Sequence, residues 1–424
     1  MATTIRKRWT SMLDAGIPRR DRVPCSYDAY IPDALAGREF QLDGAVAADV
    51  ADAEIAIARL NAEATTLANT EALARLLLRA ESVASSRIEG LEIGGRRLLR
   101  AEAAHSLGED PRDVTADEVL GNIDAMAWSM DALTRSKKIT VKQLLEVHRR
   151  LLAGTRLAHQ AGRIRTEQNW IGGSSYNPCS ASFVPPPPEM VEPLLEDLCA
   201  FCNESALPPI VQAAIAHAQF ETIHPFADGN GRTGRALIHM VLRRRGLTTR
   251  ISPPVSLILA TWSRDYVSGL TATRYSGAAH SANAREGVNR WIALFATACR
   301  RAVDDAARFE ARIGRLEASW RERLAPLRAG SSAERLLAAL SGAPIITVNG
   351  ARDITGRSFQ AANEAITRLV EAGILKQISV GRRNRAFEAA EVVRAFTDLE
   401  RQLASPAGNT RHSPPKRAVP RRGR

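Results

Sequence analysis

Twelve consecutive residues carry most of the chemistry that this sequence offers. The run at 224–235 reads His-Pro-Phe-Ala-Asp-Gly-Asn-Gly-Arg-Thr-Gly-Arg. It combines an imidazole, a carboxylate, loop glycines and two arginines within a very short stretch. A core helix has no use for that combination, whereas a site that binds polyphosphate and a metal ion does. The run therefore predicts a phosphate-binding site beside a group that can accept a proton.

Two helices are expected to position this run. Residues 210–220 are largely apolar with helical spacing, and Pro225 would break a helix that continued past them. Residues 232–245 contain no proline and repeat apolar side chains, so a second helix should begin near Asn230 or Gly231. The unpaired N–H groups and the dipole at its start favour a bound anion, which the glycines allow to approach closely.

The run matches the signature of the Fic family, His-x-Phe-x-Asp/Glu-Gly-Asn-Gly-Arg-x-x-Arg, at every fixed position. The chain thus resembles Fic proteins, nucleotidyltransferases that mostly move adenosine monophosphate from ATP onto a hydroxyl group of a target protein. The resemblance implies a mainly α fold, in which a helical Fic core carries a β-hairpin flap. It also implies ATP as co-substrate, Mg²⁺ as cofactor and a Ser, Thr or Tyr side chain of a target protein as acceptor.

The resemblance and the chemistry of the side chains together assign roles within the run. His224 would be the general base for the incoming hydroxyl, because an unperturbed imidazole titrates near neutral pH. Asp228 would hold Mg²⁺, which prefers carboxylate and phosphate oxygens. Asn230 and Arg232 would hold phosphates, and Arg235 would grip the terminal phosphate. The remaining residues expected to bind ATP are Gly229, Gly231, Thr233, Gly234 and Tyr266.

Three aromatic residues near the run need separate interpretations. Tyr266 follows at a distance where Fic relatives carry a tyrosine near the nucleotide, but a packed aromatic on an amphipathic helix is an equal alternative. Phe226 is predicted to be a core residue that anchors the loop. His217, seven residues before His224, is predicted to pack rather than to catalyse.

A second motif, Ser-Ser-Arg-Ile-Glu-Gly at 85–90, matches the inhibitory pattern Ser/Thr-x-x-x-Glu-Gly/Asn of many Fic proteins. Alone, the pattern is better explained as a solvated turn closed by a C-cap at Gly90. Beside a complete Fic signature, the inhibitory interpretation of Ser85 and Glu89 is favoured. Glu89 would pair with Arg235, so that ATP could not seat its γ-phosphate productively. In some relatives the same glutamate supports removal of the modification, and the sequence leaves such de-AMPylation open.

Residues 162–188 predict a β-hairpin between the two motifs. Short β-prone stretches surround a Gly-Gly-Ser-Ser turn and end at four prolines, 185–188. In Fic proteins a flap of this kind aligns an extended target segment through main-chain hydrogen bonds. The predicted target-docking residues are Ile171, Gly172 and Phe183. The flap tip carries three hydroxyl groups that self-modification could reach, on Ser174, Ser175 and Tyr176.

Composition divides the chain into five parts. Residues 1–115 should form a helical N-terminal region with the inhibitory motif, and 116–305 the Fic core. A helical linker at 306–330 leads to a winged-helix-like domain at 331–402. The basic tail at 403–424 is predicted to be disordered.

The winged helix-turn-helix prediction rests on three helices followed by a basic hairpin. Residues 358–371 take the recognition position, and Arg382, Arg383 and Arg385 lie in the wing. Residues 358–385 are therefore a candidate DNA-binding segment. A module for protein contact or dimerisation is an equal alternative, because a fold does not fix a function, and a homodimer stays open.

Net charge adds little to the case for nucleic acid. The chain carries a formal charge of +12. Half of it comes from the tail, which has no acidic residue and contains Arg411, Lys416, Arg417, Arg421, Arg422 and Arg424. The charge therefore does not point to the predicted catalytic core.

The composition is that of a globular protein, with 424 residues, 45% of them hydrophobic. No uninterrupted apolar stretch approaches the roughly 18 residues of a membrane span, and no apolar stretch of a secretion signal follows the basic residues at 6–8. The five cysteines indicate no disulfide framework and fit a reducing compartment. Cys199 and Cys202 are predicted to pack in the core rather than to bind zinc. We therefore expect a cytoplasmic protein without a membrane partner.

Two other functions stay open at this point. The first is a DNA-binding regulator in which the Fic core is vestigial. The second is a Fic enzyme that transfers another phosphate-containing group, such as phosphate, phosphocholine or uridylyl. Adenylyl transfer is favoured because the two-arginine anion site and Glu89 suit the triphosphate of ATP.

Overall fold

The computed structural model describes residues 1–10, 18, 21–63, 70–109, 112–380 and 384–404. The chain forms two compact units, each built from several stretches of sequence. The first unit contains residues 1–54, 128–246 and 264–297. The second contains 55–127, 247–263 and the residues from 298 onward. The run at 224–235 thus lies in the first unit, and the motif at 85–90 lies in the second.

Helices dominate the described residues, as the sequence predicts. They are α1 (Gly44–Glu63), α2 (Thr70–Ile88), α3 (Gly95–Ser106), α4 (Val114–Arg135), α5 (Val141–Leu152), α6 (Val191–Asn203), α7 (Pro209–Ile223), α8 (Asn230–Arg244), α9 (Val255–Thr261), α10 (Ser263–Ala272), α11 (Ala282–Arg323), α12 (Ser332–Leu340), α13 (Val348–Thr355), α14 (Phe359–Glu371) and α15 (Ala390–Ala404). The strands are β1 (Thr3–Trp9), β2 (Cys25–Ile31), β3 (Ile345–Ile346), β4 (Lys376–Val380) and β5 (Asn384–Glu388).

The beginning of the chain departs from the predicted helical N-terminal region. Strands β1 and β2 form an antiparallel pair with a register that runs from Thr3 opposite Ile31 to Trp9 opposite Cys25. Both strands are rich in β-branched and aromatic side chains, which favour a pleated, half-buried surface. Helices of the N-terminal region begin only with α1.

The cysteines also correct the sequence analysis, because Cys25 and Cys179 form a disulfide bond. Their Cα atoms are 5.8 Å apart although 154 residues separate them along the chain. Spacing along the sequence cannot reveal such a pair, since only the fold brings β2 next to the 3-10 turn Pro178–Ser180. The reducing compartment therefore loses its support from cysteine usage, and the cytoplasmic location stays a prediction. Cys199 and Cys202 are buried on α6, which confirms their packing role.

The two helices that frame the run begin and end where the sequence predicts. Helix α7 ends at Ile223, two residues before Pro225, and α8 begins at Asn230. Nearly every residue of α7 is buried, so this helix lies inside the first unit rather than on its surface. Gly234 allows the close approach of α8 to α7, since a Cβ atom there would lie 2.8 Å from Glu221 Oε1 and 2.9 Å from Phe220 Cδ1.

The predicted β-hairpin flap is reduced to a single antiparallel pair. Ile171 and Phe183 face each other, with N–H to O distances of 2.8 and 3.2 Å between their backbones. The prolines at 185–188 have no N–H group and cannot continue a ladder. On the other side, Trp170 Nε1 donates to Ser174 O at 2.7 Å and turns the chain into a loop. The flap is therefore a loop closed by one strand-like pair.

The C-terminal residues form helices α12 to α15 and a small antiparallel sheet in the order β3-β5-β4. Strand β3 lies between α12 and α13, and β4 and β5 lie between α14 and α15. The winged-helix assignment stays a prediction. Arg385 lies in β5, whereas Arg382, Arg383 and residues 405–424 of the predicted tail lie outside the described residues. The predicted boundary between 305 and 306 falls inside α11. Across the described ranges, no helix has the length and apolar character needed to span a bilayer.

Candidate functional site

The loop between α7 and α8 is folded tightly around His224. This residue ends α7 in a left-handed conformation, with φ 49° and ψ 60°, and its N–H donates to Phe220 O at 2.9 Å. Such a conformation costs free energy for a residue other than glycine and persists only where the surrounding structure imposes it. The backbone therefore turns abruptly at the imidazole that the sequence selects as the base.

Asn230, the first residue of α8, holds this loop through both ends of its side-chain amide. Its Oδ1 accepts from Phe226 N–H at 2.8 Å, and its Nδ2 donates to Phe226 O at 2.8 Å. The ring of Phe226 is fully buried, as predicted. The amide of Asn230 thus supports the loop backbone first, and its predicted contact with phosphate stays a prediction.

Two residues outside the run fix the loop from the flap side, and the sequence analysis missed both. Arg165 Nε donates to His224 O at 2.9 Å, and its Nη2 donates to Ile223 O at 3.4 Å. Asn169 Nδ2 donates to His224 O at 3.2 Å and to Phe226 O at 3.0 Å. Arg165 is buried, and this burial lowers its pKa to about 10, which leaves it charged at neutral pH. The sequence signal for Arg165 and Asn169 was their position as polar residues in a β-prone stretch.

His148 on α5 supports the loop from another direction. Its Nδ1 accepts from Gly162 N–H at 3.1 Å, so the proton must lie on Nε2, which is 3.0 Å from Asp228 O. The ring stacks on Phe226 with centroids 3.8 Å apart. Burial lowers the pKa of His148 to about 4, so the ring is neutral at physiological pH. Nothing in the spacing of His148 distinguishes it from an ordinary core histidine.

Asp228 presents its carboxylate at the start of α8. Its side chain is 50% exposed, and Oδ2 lies 3.2 Å from Arg232 Nη2. No cluster of three or more histidine, cysteine or acidic side chains suited to a metal occurs among the described residues. Mg²⁺ is commonly held by one or two carboxylates together with substrate phosphates and water, so a single exposed carboxylate at a helix N-terminus fits this ion. Gly229, with φ 75°, provides the turn into the helix.

Arg235 lies deeper, one turn into α8, and is 1% exposed. Its Nη1 is 3.5 Å from Tyr266 Oη, which in turn forms a 2.8 Å hydrogen bond with His217 Nε2. The structure therefore brings Tyr266 to the run, through the arginine. Tyr266 also stacks on His217 and contacts Trp291, as a core aromatic would. Burial, with the positive charge of Arg235, lowers the pKa of His217 to about 3, and this histidine packs as predicted.

The second motif lies at the end of α2. Ser85 is buried in the last turn, the helix ends at Ile88, and Glu89 is exposed in the turn that follows. Gly90, with φ 82°, closes the helix, so the C-cap interpretation of this glycine is correct whatever the role of Glu89. Asn122 Nδ2 on α4 donates to Ser82 O at 2.9 Å and to Ser86 Oγ at 3.1 Å.

The predicted docking residues of the flap lie together. Gly172 has φ 75°, and a Cβ atom there would be 2.6 Å from Ser182 Oγ. The guanidinium of Arg274 lies 3.6 Å from the centroid of the Phe183 ring, a cation–π contact that the sequence did not indicate. Tyr176, at the flap tip, is exposed.

The start of α8, the loop before it, the carboxylate of Asp228 and the side chain of Arg232 thus lie together, and free N–H groups at a helix N-terminus favour anions. Residues 138–242 match the Fic/DOC family, and residues 47–131 match the Fic/DOC family N-terminal region. The chain therefore contains a Fic/DOC family region at 138–242, preceded at 47–131 by a region that matches the N-terminal part of that family.

Curated relatives of known activity cover part of the chain. Protein adenylyltransferase fic-1 from Caenorhabditis elegans is 35% identical over 189 residues, which are 43% of this chain and 34% of that protein. Protein adenylyltransferase Fic from Drosophila willistoni is 36% identical over 140 residues, 32% of this chain and 26% of that protein. The chain thus spans about a third or less of the length of these relatives.

A solved structure supports the architecture. A Fic family protein from Desulfovibrio desulfuricans G20 superimposes with a TM-score of 0.50 at 21% identity. The superposition covers 82% of this chain and 97% of that one. At this identity the similarity concerns the fold alone.

Proposed function

We propose that this protein is an adenylyltransferase that moves adenosine monophosphate from ATP onto a Ser, Thr or Tyr hydroxyl of a target protein. One observation carries the proposal: the loop at 224–230 joins a histidine in a left-handed conformation to the N-terminus of α8. Arg165 and Asn169 hold the loop carbonyls, so that the histidine and the phosphate-binding backbone keep a constant geometry. The names of the curated relatives also describe adenylyl transfer.

In the proposed reaction, His224 takes the proton of the acceptor hydroxyl as its oxygen attacks the α-phosphorus. A new phosphorus–oxygen bond forms, the bond to the β-phosphate oxygen breaks, and pyrophosphate leaves. Arg232, Arg235 and the first N–H groups of α8 orient the phosphates for in-line attack. Mg²⁺, held by Asp228 and phosphate oxygens, would neutralise charge on the leaving pyrophosphate. The pair of Ile171 and Phe183 would align an extended target segment by main-chain hydrogen bonds.

Glu89 is proposed to restrain this activity by pairing with Arg235 in the resting protein. Support for this pairing comes from the motif at 85–90, in which Glu89 directly follows the last residue of α2. A charge-assisted contact contributes about 1.5–3 kcal/mol, and a resting population of about 99% requires about 2.7 kcal/mol. The proposed contact is therefore strong enough to keep most molecules inactive and weak enough to be released.

The direct test compares the wild type with Glu89→Gly and His224→Ala in a lysate with ATP labelled on the α-phosphate. We expect Glu89→Gly to increase the labelling of target proteins at least tenfold, and His224→Ala in the same background to abolish it. Glu92→Gly is the matched control, because Glu92 is an exposed acid three residues further along the same loop. Equal labelling by the wild type and Glu89→Gly would disprove the inhibition.

Further experiments test the other proposed properties of this site. No transfer in any variant, with normal folding, would favour the DNA-binding regulator with a vestigial core. Competition by unlabelled GTP, CTP and UTP identifies the base, and loss of label after ATP removal in the wild type alone would reveal de-AMPylation. Mass spectrometry of Glu89→Gly tests for self-modification of the flap tip at Ser174, Ser175 and Tyr176.

The C-terminal residues are proposed to bind duplex DNA. The order of helices α12 to α14 followed by β4 and β5 supports this partner. We expect the full chain to shift duplex DNA in a salt-dependent way, and the shift to disappear when Arg382, Arg383 and Arg385 are replaced by glutamine. A shift that survives in this variant would remove the wing from the proposal.

A further inference from the structure

We propose that Glu221 is a positioning residue for His224, whose carboxylate stabilises the positive charge that the imidazole acquires when it takes the acceptor's proton. The inference rests on the proposed function, because it names the group that supports the base of that reaction. Glu221 lies three residues before His224, outside the Fic signature, and is thus invisible to a motif search.

The geometry of the last turn of α7 brings the two side chains together. Glu221 Oε2 lies 3.9 Å from His224 Nδ1, an ion-pair separation rather than a hydrogen bond. The side chains are 10% and 20% exposed, respectively, so solvent screens the pair weakly. A carboxylate at this distance favours the protonated imidazole and selects the tautomer with its proton on Nδ1. Nε2 is then left to accept the proton of the substrate hydroxyl.

Helix α8 leaves room for the Glu221 carboxylate at Gly234, which has no side chain. A Cβ atom on Gly234 would lie 2.8 Å from Glu221 Oε1. Gly234 is part of the run at 224–235, and the sequence analysis assigned it to ATP binding. The structure gives this glycine a further task, because its missing side chain is what lets Glu221 lie against α8 beside His224.

Arg274 supports the carboxylate from the other side. Burial lowers the pKa of this arginine to about 10, and the charge of Glu221 opposes that shift. Its Nε is buried without a hydrogen-bond partner among the described residues. The same guanidinium lies on the ring of Phe183, 3.6 Å from its centroid. Arg274 thus joins Glu221 to the flap residue expected to contact the target.

Three other titratable groups near this pair carry no negative charge. Arg165 contacts the backbone carbonyl of His224 and is positive. His217 is neutral, since burial lowers its pKa to about 3. Tyr30, beside Arg274, is also neutral, because burial raises its pKa to about 12. Glu221 is the acid that the structure places within ion-pair distance of the imidazole.

The kinetic test replaces Glu221 by glutamine in the Glu89→Gly background, where transfer is measurable. We expect kcat to fall about tenfold with little change in KM for ATP, and the acidic limb of the pH–rate profile to move down by about one pH unit. Glu221→Asp, which keeps the charge at a shorter reach, should recover part of kcat and of the acidic limb. Glu192→Gln, an exposed acid on α6, is the matched control and should leave both unchanged. An unchanged acidic limb in Glu221→Gln would overturn the inference.

A second measurement needs no enzymatic activity. The ¹³Cε1 resonance of His224, assigned by its loss in His224→Ala, is followed as a function of pH in the resting protein. Glu221→Gln should lower the midpoint of this titration by about one unit, and Glu192→Gln should not. An equal midpoint in wild type and Glu221→Gln overturns the inference even if transfer is never detected. Conversely, a shifted midpoint without any transfer preserves the inference about charge and rejects the proposed reaction.

Discussion

The loop at 224–230 and the end of α2 at 82–90 are each held by polar side chains that lie far away in sequence. In the loop, Arg165, Asn169 and His148 bind backbone carbonyls. Along α2, most of the polar contacts instead reach side chains of the helix. The backbone N–H of Ser256, for example, donates to Glu81 Oε2 at 2.7 Å. Distant residues therefore determine the backbone path of the loop at 224–230. Along α2 they determine instead the position of a helix.

This difference separates the two motifs in their dependence on the rest of the protein. His224 has a left-handed conformation, which is unfavourable for a histidine. The conformation of the loop therefore depends on the hydrogen-bond donors that lie far away in sequence. The end of α2 needs little beyond helix propensity and Gly90, and Glu89 lies beyond the last helical residue. Changes around the loop should reduce both activity and stability, whereas changes at Glu89 should alter regulation with almost no effect on stability.

Arg165→Ala should produce the largest effect, because it removes the donors to the carbonyls of Ile223 and His224 at once. We expect adenylyl transfer in the Glu89→Gly background to fall at least about 100-fold, as a misplaced catalytic group does. The free energy of unfolding in urea should fall by about 3 kcal/mol, since buried carbonyls lose their partner. Arg163→Ala, an exposed arginine of the same stretch, is the control, and equal activity of the two variants would contradict the role of Arg165.

Acid should weaken the same loop through His148. Its pKa is lowered from the ordinary 6.5 to about 4, so the unfolded chain binds the proton at a higher pH than the folded chain does. Stability from this group is complete above about pH 7 and is lost as the pH falls from 6.5 towards 4, by up to about 3 kcal/mol. Urea unfolding at several pH values measures the slope, which His148→Gln should flatten. Exposed His159→Gln is the control, and an unaltered slope in His148→Gln would exclude the histidine as its source.

The sequence predicted those parts of the site that local patterns determine. Pro225 and the glycines of the run gave the end of α7 and the start of α8 correctly. Arg165, Asn169, His148 and the Cys25–Cys179 bond escaped because their partners lie 50 to 150 or more residues away, and no spacing rule records a contact that only the fold creates. The sequence predicted a β-hairpin for the flap, whereas the structure has one strand-like pair. The prediction gave more weight to β-propensity than to the four prolines, which lack N–H groups.

Gly234→Ala tests how closely α7 and α8 must approach each other in the first unit. The new Cβ would lie 2.8 Å from Glu221 Oε1 and 2.9 Å from Phe220 Cδ1, so these side chains or one of the two helices must shift. We expect the free energy of unfolding to decrease by about 1–3 kcal/mol. Gly314→Ala is the matched control, because this helical glycine in α11 has no atom within 4 Å of the added Cβ and should gain up to about 1 kcal/mol from helix propensity. Equal stability changes in the two variants would mean that α7 and α8 can accommodate a methyl group at Gly234 without loss of packing.

Asn122→Ala should have the smallest effect, and it sharpens the comparison from the side of α2. It removes the donor to Ser82 O and Ser86 Oγ, which loosens the last turn of the helix that leads to Glu89. We expect a loss of about 1–2 kcal/mol in stability and a severalfold increase in adenylyl transfer by the otherwise wild-type protein. In the Glu89→Gly background the same change should leave transfer unaltered, because no inhibitory carboxylate remains to be positioned. Asn363→Ala, an exposed asparagine on α14, is the control. An equal increase in both backgrounds would show that Asn122 acts on the catalytic site by a route that does not involve Glu89.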